Sequence, residues 1–290
     1  MAVQLLIDSA SDVDAREAES LGITLVPMTV QFDTESFQDG VNLSHRQFFE
    51  KLIESDALPK TSQINAYQFE ERFRELTSGG DEVVAITLSS KLSGTYFSAV
   101  QAAKRFEGRV YVVDSLNACN GERLLLHYAL RLVQQPLSAR AIAAQLDAVK
   151  RRIRLVALLD TLEYLKKGGR ISPAVALAGA MLHVKPVVSL EDGEVRLIGK
   201  AIGSKKGNNL LVQMINASGG IDFSMPYATA YSGLEDSMLQ KYLNDSAALW
   251  QCNTTHVPVY LIGSTIGTHV GPGAIAVAYF ASFPSGASQG

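Results

Sequence analysis

Three clusters of small and hydroxyl-bearing residues lie where an apolar strand would hand over to a helix. They are Asp8-Ser9-Ala10-Ser11-Asp12, Pro59-Lys60-Thr61-Ser62-Gln63 and Ser89-Ser90-Lys91-Leu92-Ser93-Gly94-Thr95. In the third, the hydroxyls of Ser93 and Thr95, the bare backbone of Gly94 and the free N–H groups of a helix start converge. Such a place favours an anion through hydrogen bonds and the helix dipole, without a formal cation. A capped helix with no ligand is the other reading of the same residues. Open α/β sheets bind ligands beyond the carboxyl ends of their strands. If Thr61 and Ser62 share that edge, the two hydroxyl loops make a small carboxylate or phosphate site. A fourth cluster, Gly263-Ser264-Thr265-Ile266-Gly267-Thr268-His269-Val270-Gly271-Pro272-Gly273, lies between apolar strands. It reads as a loop whose glycines admit close backbone approach. Its one titratable side chain, His269, is either a neutral loop histidine or a donor to an anion held by Ser93 and Thr61. The first cluster reads as a helix cap, with Ser11 or Asp12 capping a helix that ends near Gly22.

The elements that must position these residues alternate along the chain. Residues 3–7, 23–30, 83–88 and 110–113 are short, apolar and rich in β-branched side chains, and read as strands. Ser44-His45-Arg46-Gln47 is a capping-box pattern ahead of an apolar helical stripe. Phe69, Phe73 and Leu76 give another stripe, and helices are expected after Ser93 to about Phe106 and over about 123–133. In the second half, Ile142, Leu146, Val149 and Ile153 mark a long amphipathic helix, with a strand over 154–159. Ser172-Pro173 reads as a helix start. Residues 187–190 and 195–198 flank Glu191-Asp192-Gly193-Glu194 as a hairpin, with further strands expected at 228–231, 257–262 and 274–280. The fold class is α/β. Residues 1–150 form an N-terminal domain with a mostly parallel sheet and flanking helices, and 151–290 form a second domain with a mixed sheet.

Composition excludes several function classes. The chain has 290 residues and a formal net charge of −3, so it lacks the basic excess of an electrostatic nucleic-acid binder. The densest basic run, Lys150-Arg151-Arg152 with Arg154, reads as a solvated helix end. No apolar run approaches the ~20 residues of a membrane span, and no basic leader precedes the first strand. Two cysteines, Cys119 and Cys252, make no disulfide framework, so a cytoplasmic location is expected. There is no P-loop, no Gly-x-Gly-x-x-Gly after the first strand and no Gly-x-Ser-x-Gly elbow. The histidines never pair at metal-ligand spacing, so neither metal nor cofactor is expected.

Taken in order, the clusters above resemble the DegV family, together with Val113-Asp114-Ser115 and Leu159-Asp160-Thr161-Leu162-Glu163-Tyr164-Leu165-Lys166-Lys167-Gly168-Gly169-Arg170-Ile171-Ser172. That family includes the fatty-acid-binding subunits of bacterial fatty acid kinase. The resemblance implies two α/β domains with a long-chain fatty acid, such as palmitate, held between them. It places the carboxylate on Thr61, Ser93 and His269, with Ser62, Gly94 and Thr95 as neighbours. It further implies an ATP-binding kinase subunit as partner, with the phosphoryl chemistry on that partner, and allows transient contact with a membrane surface. Arg170 is read as structural, pairing with a nearby carboxylate to hold its loop. Two departures stand out. Gly199-Lys200-Ala201 leads to Ile202 where the family usually has Arg, and Cys119-Asn120-Gly121-Glu122-Arg123 replaces a Ser-Met-Gly-Gln-Gly pattern. The expected function is therefore a non-catalytic carrier that presents a fatty acid for acyl phosphate formation. The rival is a small-molecule, phosphotransferase-like enzyme using Ser93, Asp8 and His269.

Overall fold

The computed structural model describes residues 2–55, 57–172, 184–250 and 256–282. Strands β1 (Val3–Asp8), β2 (Thr24–Val26), β6 (Glu82–Thr87) and β7 (Val110–Asp114) form an all-parallel sheet in the order β2-β1-β6-β7. The central runs of β1, β6 and β7, residues 5–7, 83–86 and 110–113, are continuously apolar because helices cover both faces of such a sheet. Among those helices are α1 (Ala15–Leu21), α3 (Ala66–Thr77), α4 (Thr95–Ala103) and α6 (Ala139–Val149). A six-stranded mixed sheet has the order β10-β9-β8-β13-β11-β12. Its strands are β8 (Ile153–Leu158), β9 (Val184–Glu191), β10 (Glu194–Ile202), β11 (Tyr227–Tyr231), β12 (Val259–Leu261) and β13 (Ile275–Phe280). A third, antiparallel sheet joins β3 (Thr29–Phe32), β4 (Glu35–Gln38) and β5 (Lys60–Ser62). The architecture is α/β, parallel in the first half of the chain and mixed in the second.

One helix ties the two large sheets together. On α5 (Cys119–Leu132), Leu124, Leu125, Leu126 and Ala129 share one core with Leu5, Ile7, Val84 and Ile86 of the parallel sheet. The same core contains Ala228, Ala278 and Phe280 of the mixed sheet. A helix buried on both sides must also bury its polar start. Arg123 donates to the Ser11 and Asp12 carbonyls, pairs with Glu17 and stacks 3.9 Å from the Tyr260 ring centroid. The helix thus begins four residues before the sequence pattern predicts.

Several expectations need correction. The strand predicted over 23–30 divides at Pro27-Met28 into β2 and β3, which enter different sheets, since Pro27 has no N–H to give a ladder. Helix α1 is capped by Asp14, whose carboxylate accepts from Glu17 N at 2.8 Å, and not by Ser11 or Asp12. The glycine-rich cluster predicted as a loop contains a helix, α11 (Ser264–Val270). It follows α7 (Glu163–Lys167), α8 (Ser204–Ala217), α9 (Ser237–Asp245) and α10 (Ala247–Trp250) in the chain. The capping box at α2 (His45–Glu54) forms in both directions, Gln47 N to Ser44 Oγ at 3.3 Å and Ser44 N to Gln47 Oε1 at 3.1 Å. The helix start read at Ser172-Pro173 lies outside the described residues.

Glycines in α11 serve close packing. A Cβ on Gly267 would meet Phe48 Cε1 at 2.6 Å and Phe49 Cζ at 3.0 Å, and both rings are fully buried. Gly267→Ala should therefore cost about 1–3 kcal/mol through overpacking, read as a lower urea midpoint with an unchanged m-value.

Candidate functional site

The inner faces of the mixed sheet and of α11 enclose a cavity with about 830 Å³ of atom-free space, its mouth included. The walls are apolar for a periodic reason. Leu155, Ala157 and Leu159 point inward at every second position, while Val156 and Leu158 join the core on the opposite face. Val188 and Leu190 of β9, Val195 of β10 and Ala274 and Ala276 near β13 continue the wall. Ala118 and Cys119 close it from the start of α5. Burial and the nearby Asp12 push the Cys119 thiol well up, so it stays protonated and acts as a small apolar wall.

Four of the residues named from sequence meet in this cavity: Thr61, Ser93, Arg170 and His269. Thr61 sits on β5 opposite Val30 and places its Oγ1 2.9 Å from His269 Nε2. Ser93 lies just before α4, whose N-cap Gly94 has no side chain to cap it, and the Ser93 Oγ accepts from Thr95 N at 3.3 Å instead. The Ser93 hydroxyl is held 3.0 Å from Thr95 Oγ1, which in turn accepts from Ile64 N at 3.3 Å. Thr95 is thus a fully buried support behind Ser93 and is not itself part of the wall. Gly94 also stands behind the wall, where a Cβ would collide with the Gln63 amide. Ser62 needs correcting: strand alternation turns it away from Thr61's side, and it is exposed and outside the lining.

Arg170 also differs from expectation. Its Nε donates to the Leu92 carbonyl at 3.1 Å and one terminal nitrogen to the Gly168 carbonyl at 2.7 Å. Among the described residues no carboxylate pairs with it. A guanidinium satisfied by carbonyls keeps its full charge for whatever enters the cavity. Local patterning does not reveal that role, because one of the two carbonyls that hold the guanidinium belongs to Leu92, 78 positions away.

His269 is electrically neutral here. Burial, reinforced by Arg170, lowers its pKa from 6.5 to about 4. Its Nδ1 is sealed from solvent without a hydrogen-bond partner, packed where a Cβ on Gly168 would strike it. A buried lone pair without a partner is cheaper than a buried N–H without one, which assigns the proton to Nε2. Nε2–H then donates to Thr61 Oγ1 and leaves the Thr61 hydroxyl hydrogen free to donate into the cavity.

The helix that carries His269 is held from far along the chain. Gly263 N donates to Asp12 Oδ1 at 2.8 Å, and Ser264 N and Thr265 N donate to the two Asp39 oxygens at 3.0 and 3.1 Å. Ser264 Oγ donates to Asp39 as well. Burial raises Asp12 to about 6. Asp39 carries no local sequence signal, since its partners stand 225 and 226 positions away. Asp8, the third member of the rival enzymatic set, is not in the cavity. Its carboxylate accepts from Ala10 N at 2.9 Å and Leu88 N at 2.8 Å and locks β1 to the end of β6.

With this arrangement in view, the comparisons with known proteins are decisive for family. The profile of the DegV family, described as an uncharacterised protein family, matches residues 2–282. The chain belongs to the DegV family. A DegV domain-containing protein of Caldanaerobacter subterraneus is 34% identical over 278 residues, covering 95% of this chain and 97% of its own. Among solved structures, a DegV family protein of Thermus thermophilus described for its fatty acid binding superposes with a TM-score of 0.85 at 30% identity. The match covers 97% of this chain and 100% of that one. A DegV lipid binding protein of Thermotoga maritima gives a TM-score of 0.82 at 27% identity, covering 96% and 98% of the two chains. No helix among the described residues is long and apolar enough to cross a membrane.

The depressed histidine gives a signed pH dependence. Neutral His269 contributes stability in full above pH 6.5, and the contribution is lost as pH falls towards about 4, because only the unfolded chain takes up the proton in that window. Thermal melts of wild type and His269→Gln should therefore diverge with acidity, wild type losing more stability than the variant across that window. Asp8 and Asp12, raised to about 7 and about 6 and so sloping the opposite way, cancel in the difference.

Proposed function

We propose that this protein binds a long-chain fatty acid, such as palmitate, and presents its carboxylate to a separate ATP-binding kinase subunit. The observation that carries the reading is an apolar cavity with one polar end, where Arg170 is a cation unpaired by any described carboxylate. The likeness to the fatty-acid-binding Thermus protein supports the same ligand class. The carboxylate accepts from the Ser93 and Thr61 hydroxyls and meets the Arg170 charge, while neutral His269 orients Thr61 from behind. Charge-assisted hydrogen bonds in a site shielded from water are the stronger kind. The tail lies along Leu155, Ala157, Leu159 and the facing walls. Burying a palmitoyl chain at ~0.8 kcal/mol per methylene gives on the order of 10 kcal/mol gross, enough for micromolar binding after ordering costs.

Acyl phosphate forms when a carboxylate oxygen attacks the γ-phosphorus of ATP and ADP leaves. That step needs Mg²⁺ and a phosphate cradle, which the reading assigns to the partner subunit. Ile202, 66% exposed at the end of β10, is a large apolar side chain on the surface. In this reading it belongs to the surface that meets the kinase.

The direct experiment is native mass spectrometry of the purified protein, then denaturation to release its contents. A fatty acid is the expected content; a protein that neither carries nor takes up any fatty acid refutes the reading. Ser93→Ala and Arg170→Gln should each weaken fatty-acid affinity by about 1–3 kcal/mol in a fluorescent titration. Radiolabelled phosphate transfer should require an added kinase subunit, and Ile202→Arg should improve transfer with a kinase taken from a distant relative. Turnover by this protein alone contradicts the carrier role.

A further inference from the structure

The strand pair β8–β9 comes apart at one end of the cavity. Its antiparallel register runs Leu158↔Val187, Ala157↔Val188 and Val156↔Ser189, then stops. The next step would pair Leu155 with Leu190, and both strands do continue, each held only on its other side. β8 stays paired to β13 as far as Ile153↔Phe280, and β9 to β10 as far as Glu191↔Glu194. The result is a slot in the mixed sheet. Beyond it lies a groove with about 1230 Å³ of atom-free space, its open side included, with Ile198, Met214 and Ala217 on one side and the charged side chains of Lys150, Arg151, Arg154, Glu191 and Asp192 at its rim. Leu155, Ser189 and Leu190 line both the cavity and the groove, so these side chains are a wall common to the two.

Along β8 the slot stands at Leu155, at the opposite end of the inward-facing row from Leu159, while the β9–β10 turn beside it accepts from Ser89 Oγ through Gly193 O at 2.7 Å. From Leu155 to Leu159, β8 advances about 13 Å at ~3.3 Å per residue, towards the segment that carries Arg170. Where the ladder is missing, the strand ends are joined by a side-chain ion pair, Arg151 with Asp192. Its side chains are 66% and 81% exposed, and such pairs hold little. The slot is flanked by Leu155 and Leu190 and is not sealed by β8–β9 ladder hydrogen bonds, which makes it passable to an apolar chain.

We propose that the slot is a subsite for the methyl end of long acyl chains. A chain whose carboxylate is held at Thr61, Ser93 and Arg170 passes between Leu155 and Leu190 and, when longer than the cavity, continues into the groove against Ile198 and Met214. The ligand class added is the very-long-chain fatty acid, and the inference rests on the fatty-acid reading above. A blind cavity rejects chains that overfill it. An open one accepts them, with little gain per added methylene once the chain reaches the half-wet groove.

The test compares myristate, stearate and docosanoate on wild type and on Ala217→Trp. Ala217 is exposed and lines the groove but not the cavity, so a Trp there fills the groove without touching the carboxylate site. Wild type should bind docosanoate within roughly tenfold of stearate, and Ala217→Trp should weaken docosanoate by about tenfold while leaving myristate unchanged. Rejection of docosanoate by wild type, or equal affinity losses for all three acids, overturns the slot while leaving fatty-acid binding intact. Failure of wild type to bind any of the three refutes the fatty-acid reading itself. A second measurement needs no variant: docosanoate carrying a terminal diazirine is photolysed on wild-type protein and the labelled peptides are mapped. Label at Ile198 or Met214 supports the passage, and label confined to Cys119 and Val195 overturns it.

Discussion

Two buried carboxylates, Asp12 and Asp39, hold the amino end of α11, and the polar end of the cavity depends on that grip. A seven-residue helix is too short to persist alone, and its first N–H groups have no partners within it. Asp12 and Asp39 supply them from the loop after β1 and from the residue following β4. Negative charge there also complements the helix dipole. At the other end of the helix, His269 is fixed between Thr61 and the backbone at Gly168. Phe48 and Phe49 press on Gly267 from α2. Parts from distant stretches of the chain thus converge on seven residues, so the imidazole is placed by the whole fold rather than by its own loop.

The electrostatics of the cavity follow from what is kept neutral. His269 is held uncharged by burial, and the Cys119 thiol is held protonated. Hydroxyls from Thr61 and Ser93 add donors without charge. Among the described residues that line the cavity, Arg170 is then the one formal charge, and it faces carbonyls rather than a carboxylate. A cation, neutral donors and apolar walls match the charge and polarity of the proposed ligand, a monoanion with a long apolar body. A dianionic phosphate would leave charge unmatched in a water-poor place.

The mixed sheet does double duty because both of its faces are buried. Val156, Leu158, Val277 and Tyr279 pack outward on the core that includes α8 and α9, while the alternate residues of β8 and β13 face the cavity. This explains why residues 155–159 read as continuously apolar rather than alternating. It also lets the β8–β9 ladder stop early, since the strands remain anchored by β13 and β10 on their outer edges.

Much of this was legible in the order of residues. The parallel half, the capping box at Ser44, the hairpin around Asp192-Gly193 and the hydroxyl clusters at Thr61 and Ser93 are set by local rules, because propensity, capping and period act over a few residues. The grouping of Thr61, Ser93 and His269 followed from motif order in the family resemblance, and the fold does bring these three to one cavity. Other features rest on contacts that no local pattern encodes. The break at Pro27-Met28 is local, but which sheet each half joins is not. The glycine-rich cluster becomes a helix because Asp12 and Asp39 cap it across more than two hundred residues. Ser62 falls outside the cavity because strand pairing sets which side β5 turns inward. Arg170 keeps its charge for the cavity because the nearest acceptors in three dimensions are the carbonyls of Leu92 and Gly168. Sequence determines which groups are present and which elements they start or end; only long-range packing decides which of them face one another across a space that excludes water.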